Sequence, residues 1–116
     1  MKKEILKRTK NFAIDNWKFC AKVPKSREYN AYVNQLIRSS SSVGANYRAA
    51  QRAKSTADFI NKLKIVEEEA DESLYWLEIF EEINEQFKDA ILPLKKEGGE
   101  LLAIIVASIN TARRRK

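Results

Sequence analysis

The chain has 116 residues, a formal net charge of +6, three Gly, two Pro and no His. Its length allows one domain, and a composition rich in Ala, Leu, Ile, Glu, Lys and Arg favours an all-α fold over a sheet protein. The absence of histidine excludes Ser-His-Asp triads and His-based metal sites, and the single cysteine, Cys20, excludes an internal disulfide and a Cys-rich zinc site.

The sequence also indicates the cellular compartment. A lone thiol fits a reducing compartment, residues 12–19 are too polar for a secretory signal, and the longest apolar run, Leu101–Ile109, is too short to span a bilayer. We therefore expect a soluble, cytoplasmic protein that makes no membrane contact.

Helical periodicity predicts the first two helices over residues 3–21 and 27–52. Pro24 ends the first helix, and Ser26 is a suitable N-cap for the second. The apolar stripe of the second helix passes through Ser39–Ser42 without a phase break, so these serines are interpreted as helical rather than as a linker. Small side chains there would let a neighbouring backbone approach closely.

The third helix is predicted over residues 56–87, with Ser55 as N-cap and Asp58 completing an approximate capping box. The fourth is predicted over residues 93–113, with Pro93 in its first position, where the missing N–H costs nothing. A frayed basic tail, residues 113–116, would follow. Short connections between four helices predict one left-handed, antiparallel, up-and-down four-helix bundle over residues 1–116.

The third helix carries a second apolar stripe about 90° from its core stripe. A helix of a monomeric bundle needs only one stripe, so the second indicates a subunit interface, together with the small-residue face of helix two. The alternative is a bundle that wraps helix three more fully than usual. The predicted interface residues are Trp76, Phe80, Ile83 and Phe87.

An acidic run, residues 67–72, is the best candidate for metal chemistry. Di-metal bundles pair inward Glu residues with Glu-x-x-His motifs on facing helices, and that second half is missing here. A solvated or salt-bridged face is the favoured interpretation, so we expect no metal, no cofactor, no small-molecule substrate and no enzyme activity. A metal-dependent oxidase stays a third, weaker hypothesis, and bound iron or manganese would be its signature.

Positive charge surrounds this acidic helix. Residues 1–26, 27–55 and 92–116 carry net charges of +6, +4 and +4, whereas residues 56–91 carry −8. A basic surface of this kind can track phosphates without reading sequence. Alternatively, the arginines pair with the acids of helix three in the same or a neighbouring subunit. The candidate nucleic-acid-binding residues are Arg38, Arg48, Arg52, Lys54, Lys7, Lys10, Arg113 and Arg114.

The middle of the chain resembles a known family. Residues 41–50 (SSVGANYRAA), 58–63 (DFINKL) and 69–77 (EADESLYWL) are similar to the bacterial four helix bundle protein family, also called the 23S rRNA intervening-sequence protein or S23 ribosomal protein family. Many members read Asn-Ile-Ala-Glu-Gly where this chain has Asn46-Tyr47-Arg48-Ala49-Ala50. Any role of that glutamate is therefore not carried over.

The resemblance implies an antiparallel four-helix bundle that assembles into a ring, commonly a pentamer. It supplies no catalytic residues, and the function of the family is poorly defined. The accessory variability protein of diversity-generating retroelements is similar in fold, and it is a basic pentameric barrel that binds nucleic acid and a reverse transcriptase.

These observations favour a non-enzymatic, oligomeric scaffold that binds RNA or DNA without sequence specificity. The alternative is a protein-interaction adaptor that uses the acidic third helix, at Glu67, Glu68 and Glu72, without nucleic acid.

Overall fold

A computed structural model describes residues 1–115 and shows four helices packed side by side, without strands in that range. They are α1 (Lys2–Ala21), α2 (Arg27–Ala50), α3 (Thr56–Ile83) and α4 (Lys88–Arg114), with a single 3₁₀ turn at Glu85–Phe87. The predicted all-α class and four-helix bundle are confirmed. Lys116, part of the predicted basic tail, lies outside the described residues.

Each helix packs against its neighbours in chain order, and α4 closes the bundle against α1. Over residues 1–115, the backbones of α1 and α3 are not adjacent, and neither are those of α2 and α4, although side chains such as Phe19 and Phe80 meet across the core. The helices therefore occupy the corners of a square whose diagonals are α1–α3 and α2–α4. The molecule measures 47 × 22 × 20 Å, so its long axis follows the helices.

Both predicted serine N-caps are present. The Ser26 hydroxyl accepts a hydrogen bond from the Tyr29 N–H, and the Ser55 hydroxyl accepts one from the Asp58 N–H, each at 3.0 Å. The Asp58 carboxylate reaches back to the N–H of Lys54, one residue before the cap. These bonds satisfy donors that have no partner inside a helix, which fixes where α2 and α3 begin.

The predicted boundary between α3 and α4 is wrong. Asn84 adopts an extended conformation (φ −149°, ψ 112°) and its side chain accepts a hydrogen bond from the Gln86 N–H, so α3 ends at Ile83 rather than at residue 87. The fourth helix starts at Lys88, which leaves Pro93 inside it. Pro93 is solvent-exposed and lacks only one helical N–H, while the adjoining turns bury Ile91 and Leu94.

Two other boundaries also differ. The second helix ends at Ala50, two residues before the predicted end, because a turn carries the chain through residues 51 and 52 toward the Ser55 cap. The predicted frayed tail is helical through Arg114, since α4 continues beyond the buried Ala112.

The core forms two apolar clusters separated by a layer of small and polar residues. The first cluster includes Ile5 and Phe12 of α1, and the second includes Phe19 of α1. At the level between them, Asn16, Ser39, Ser40 and Ser73 are buried together with Gly98. The Ser39 and Ser73 hydroxyl groups are hydrogen-bonded at 2.8 Å.

This layer explains the serine run. Buried serines satisfy their hydroxyl groups on backbone carbonyls of the preceding turn, as Ser39 does on Leu36 at 3.3 Å, so they remain compatible with the helix. The interpretation of Ser39–Ser42 as helical is confirmed.

Candidate nucleic-acid interface

Charge is unevenly distributed along the bundle axis. The segments that surround the first core cluster, residues 1–12, 43–70 and 101–115, carry thirteen Lys and Arg against five Asp and Glu, a net charge of +8. We call this the basic half. The remaining described residues, 13–42 and 71–100, carry eight against eleven, a net charge of −3, and form the acidic half. The antiparallel topology assembles this polarity from distant segments.

A cluster of positive charge lies where α2 runs into α3. Arg48 and Arg52 stand one helical turn apart on α2, Lys54 lies in the connection, and Lys62 approaches from α3. These four cations, with Ala45, Ala49 and Asp58, line a cleft of about 450 Å³, which we call the basic cleft. Asp58 is already engaged, because the Lys62 ammonium lies 2.8 Å from its carboxylate. The hydrogen bond from Lys62 also lowers the pKa of Asp58, which therefore stays ionised.

Three cations of the basic cleft have no carboxylate partner. Among the ion pairs of residues 1–115, none includes Arg48, Arg52 or Lys54, and all three side chains are exposed. Their charges are therefore open to an anion from outside the molecule. The alternative in which α3 acids of the same chain neutralise these residues does not occur in the structure.

Other basic residues are neutralised within the chain. Arg38, a predicted nucleic-acid contact, lies 3.3 Å from a Glu69 carboxylate oxygen and also pairs with Glu72, and the hydrogen bond that it donates to Glu69 raises its pKa. Arg8 joins α1 to α4 through Glu97 at 2.6 Å and Glu100 at 2.9 Å. Arg38 also lies in the acidic half, so we withdraw it from the candidate interface.

The remaining seven predicted contacts lie in the basic half. Lys10 lines a second groove of about 370 Å³, between α1 and α2, whose opposite wall includes Arg48. Arg48 thus borders both the groove and the basic cleft. Lys7 is exposed on α1, and Arg113 and Arg114 are exposed at the end of α4.

The structure adds two residues that the sequence analysis did not select. Lys62 completes the basic cleft, and Arg115 lines a further cleft of about 390 Å³ that it shares with Lys54. Lys62 lies four residues after Asp58, and this spacing alone places both side chains on the same side of α3. The approach of Arg115 to Lys54 had no local signal, because it depends on how α4 packs.

The predicted subunit interface needs correction. Phe80 is fully buried in the second core cluster, where its ring meets Phe19 edge-on at 5.5 Å, so it offers no surface to another subunit. Trp76 and Phe87 are partly buried and pack against the same cluster. Of the four residues only Ile83, at 49% exposure, points largely to solvent. The bundle therefore wraps α3 more fully than the interface prediction assumed.

The small-residue face of α2 is also used within the chain. A Cβ built on Gly44 would lie 3.3 Å from the backbone carbonyl of Thr9, so α1 and α2 approach each other closely at this point. Ser39 and Ser40 are fully buried inside the bundle. This face brings helices of one molecule together, which removes it from the predicted interface between molecules.

Within residues 1–115, the geometry shows neither a metal site nor a membrane-spanning helix. Residues 1–115 bring no three His, Cys, Asp or Glu side chains into an arrangement that would hold a metal ion. In the same range, no helix combines the length and the apolar character needed to cross a bilayer.

Comparison with known proteins shows which family shares this architecture. The family model described as 23S rRNA-intervening sequence protein matches residues 1–107. A crystal structure of a Bacteroides thetaiotaomicron protein with unknown function, from the S23 ribosomal protein family, is similar with a TM-score of 0.81 and 30% identity. The match covers 90% of this chain and 97% of that protein. A comparison with curated proteins finds no match. The chain belongs to the 23S rRNA-intervening sequence protein family.

Proposed function

We propose that this protein is a non-enzymatic scaffold that binds RNA or DNA without sequence specificity through its basic half. The observation that carries the proposal is the contrast between paired and unpaired cations. Arg8 and Arg38 are held by carboxylates, whereas Arg48, Arg52 and Lys54 converge on one cleft and form no ion pair within residues 1–115. The carboxylate that lines this cleft, Asp58, is paired with Lys62. Phosphate groups are the ligands that such a cluster of guanidinium and ammonium groups favours.

The absence of sequence preference follows from the kinds of side chain that are present. Base readout by stacking requires exposed aromatic rings among the cations. The cleft residues are Arg, Lys, Ala and Asp, without an aromatic ring. Contacts of this kind fix a nucleic acid through its backbone and leave the bases unread.

The test is an anisotropy titration of labelled single-stranded RNA with two matched triple variants. Arg48→Ala/Arg52→Ala/Lys54→Ala removes three positive charges from the basic cleft, and Lys22→Ala/Lys25→Ala/Arg27→Ala removes three exposed ones from the acidic half. We expect the first variant to weaken binding by at least about tenfold and to flatten the salt dependence. The second should stay within about threefold of the unmodified protein. Equal losses in both variants would refute a site in the cleft.

The adaptor hypothesis has one observation in its favour. The outer side of α3 exposes Glu68, Asp71, Glu78 and Glu82, and this stretch contains no Lys or Arg. A basic protein partner would fit there. Glu72 is less suited than the sequence indicated, because Arg38 already occupies it. Charge reversal at Glu68 and Glu78 would abolish capture of such a partner and spare RNA binding, whereas the reverse pattern would exclude the adaptor.

A further inference from the structure

The outer side of α1 exposes an aromatic ring of the kind that the basic cleft lacks. Trp17 is 59% exposed, and the other exposed aromatic side chain in residues 1–115 is Tyr75 of α3, at 56%. Tyr75 lies between the exposed acids Asp71 and Glu78, at helical spacings of four and three, and these carboxylates would repel a phosphate. Trp17 is therefore the exposed ring that a nucleic acid can approach.

The surroundings of Trp17 are cationic, although residue 17 belongs to the acidic half. Lys10 lies seven residues before Trp17, which is two helical turns, so both side chains are on the same side of α1. Lys18 follows Trp17 directly. Both lysines are exposed, and neither forms an ion pair within residues 1–115. Two unpaired cations therefore stand near the ring on its own helix.

The nearby acids point elsewhere or are already paired. Asp15 lies two residues before Trp17, and successive helical residues turn by about 100°, so the two side chains point to nearly opposite sides. Two acids of α4 meet α1 at Arg8, which stands two and a half turns before Trp17 and thus faces the other way. The one acid of α2, Glu28, lies 3.1 Å from Arg27. A phosphate near Trp17 thus meets attraction rather than repulsion.

A groove connects Trp17 with the basic cleft. The groove between α1 and α2 is lined by Lys10 and Ala13 on one wall and by Arg48 on the other. Ala13 lies four residues before Trp17, so the ring stands ~6 Å farther along α1 than this groove residue and on a similar side of the helix. Arg48 also lines the basic cleft. Basic residues therefore continue from the cleft through the groove to the ring.

An exposed ring at the end of such a path distinguishes single strands from duplexes. Stacking on an aromatic side chain requires an unstacked base, which a single strand offers and which a duplex keeps inside its own stack. Phosphates are available to the lysines and arginines in both forms. Because every base has a π face, stacking adds a preference for the strand form without reading the sequence.

We propose that Trp17 stacks on a base of a single-stranded nucleic acid whose phosphates follow Lys10 and Arg48 to the basic cleft. The protein then binds a single strand more tightly than a duplex of the same length. This inference rests on the nucleic-acid function proposed above and adds the form of nucleic acid that the site takes. An anionic lipid surface is the other partner that exposed tryptophan and lysine side chains suit, and the test includes it.

The test is a pair of anisotropy titrations, with labelled single-stranded RNA and with a duplex of the same length. We expect Trp17→Ala to weaken single-strand binding by about five- to 150-fold, the range for loss of one stacked base, and to keep duplex binding within about twofold. Trp17→Phe retains a ring and should recover most of the lost affinity. Tyr75→Ala is the matched control, because it removes a similarly exposed ring from acidic surroundings, and it should bind both forms like the unmodified protein.

Tryptophan emission provides a second readout that does not depend on affinity. The chain has two tryptophans, and Trp76 is partly buried against the second core cluster. We expect single-stranded RNA to quench the emission of the unmodified protein, because a stacked base lies against the Trp17 indole. The quenching should be absent in Trp17→Phe and weaker with the duplex.

Four results would overturn the proposal: equal affinity of the unmodified protein for both forms, unchanged single-strand affinity in Trp17→Ala, an equal loss for both forms in that variant, or Trp17 emission that responds to phosphatidylglycerol vesicles and not to RNA. In the first two cases RNA binding persists, so the function proposed above survives the failure of this inference. If neither form binds at low salt, the nucleic-acid function is refuted and this inference falls with it.

Discussion

Gly98 and Gly99 are adjacent in α4 and face different surroundings. A Cβ on Gly98 would press against Leu74 and Phe12, whereas a Cβ on Gly99 meets no atom within 4 Å. Alanine favours a helix over glycine by about 0.5–1 kcal/mol, so Gly99→Ala should raise the free energy of unfolding by that amount.

Gly98→Ala should not show this gain. Insertion of a methyl group into a packed contact costs about 1–3 kcal/mol, which offsets or exceeds the helix preference. We expect urea denaturation to rank the proteins Gly99→Ala, then unmodified, then Gly98→Ala. Equal midpoints for the two alanine variants would contradict the close approach of α1 and α3 to Gly98.

The buried thiol of Cys20 leads to a prediction of how the free energy of unfolding depends on pH. Burial raises the pKa of its thiol from 9.0 to about 11, and burial likewise raises the pKa of Tyr47. A group with a raised pKa in the folded state supplies stability that is complete below its unfolded pKa and is lost as the pH rises toward the folded value. The free energy of unfolding should therefore fall between about pH 9 and 11, with a slope of at most ~1.4 kcal/mol per pH unit for each group.

Cys20→Ala isolates the thiol contribution. The variant keeps Tyr47 but has no thiol to ionise, so its stability should fall less steeply over the same pH range. The measurement is guanidinium denaturation at several pH values. Parallel profiles for the variant and the unmodified protein would show that burial of Cys20 has no linkage to pH.

At the scale of the helices, mutation of the N-cap residue tests what fixes the start of α3. The Ser55 hydroxyl holds the Asp58 N–H, so Ser55→Ala should lower the free energy of unfolding by about 1 kcal/mol. Ser42→Ala is the matched control, because the Ser42 hydroxyl only bonds back to the Arg38 carbonyl inside α2. Thermal denaturation should leave the control near the unmodified protein, and a similar loss in both would refute a specific capping role.

The helices could be predicted largely from their apolar spacing and serine caps, but the junction of α3 and α4 could not. Nothing in the local pattern distinguishes a helix that ends at Ile83 from one that ends at Phe87, since both are apolar residues at helical spacing. The end of α3 is set by a tertiary contact, because the chain must turn for Phe87 to pack on Phe19 and Phe80, at ring distances of 5.5 and 6.0 Å. That contact depends on three helices and has no signature within one.

The same limit applies to the interface residues. Phe80 and Trp76 form an apolar stripe in the sequence, and a stripe alone does not say whether another helix of the same chain covers it. In the structure Tyr32 of α2 packs on Trp76 at a ring distance of 5.6 Å, and Phe80 is fully buried.

At the scale of the whole molecule, the sequence identified most of the basic residues of the candidate site but not which of them form ion pairs. Seven of the eight selected cations lie in the basic half. Arg38 differs because Glu69 and Glu72 on α3 face it across the bundle. Composition reveals an excess of positive charge, whereas only packing reveals which charges remain unpaired.

The most direct test of the nucleic-acid proposal is the affinity of the unmodified protein for single-stranded RNA across a salt series. For phosphate contacts, the logarithm of the binding constant falls linearly with the logarithm of salt, with a slope of about −0.7 per contact. Three to five contacts in the basic half predict a slope of about −2 to −3.5, with two unrelated sequences of equal length bound alike. A flat salt response, or no binding at about 50 mM salt, would contradict the proposal that the basic half binds nucleic acid.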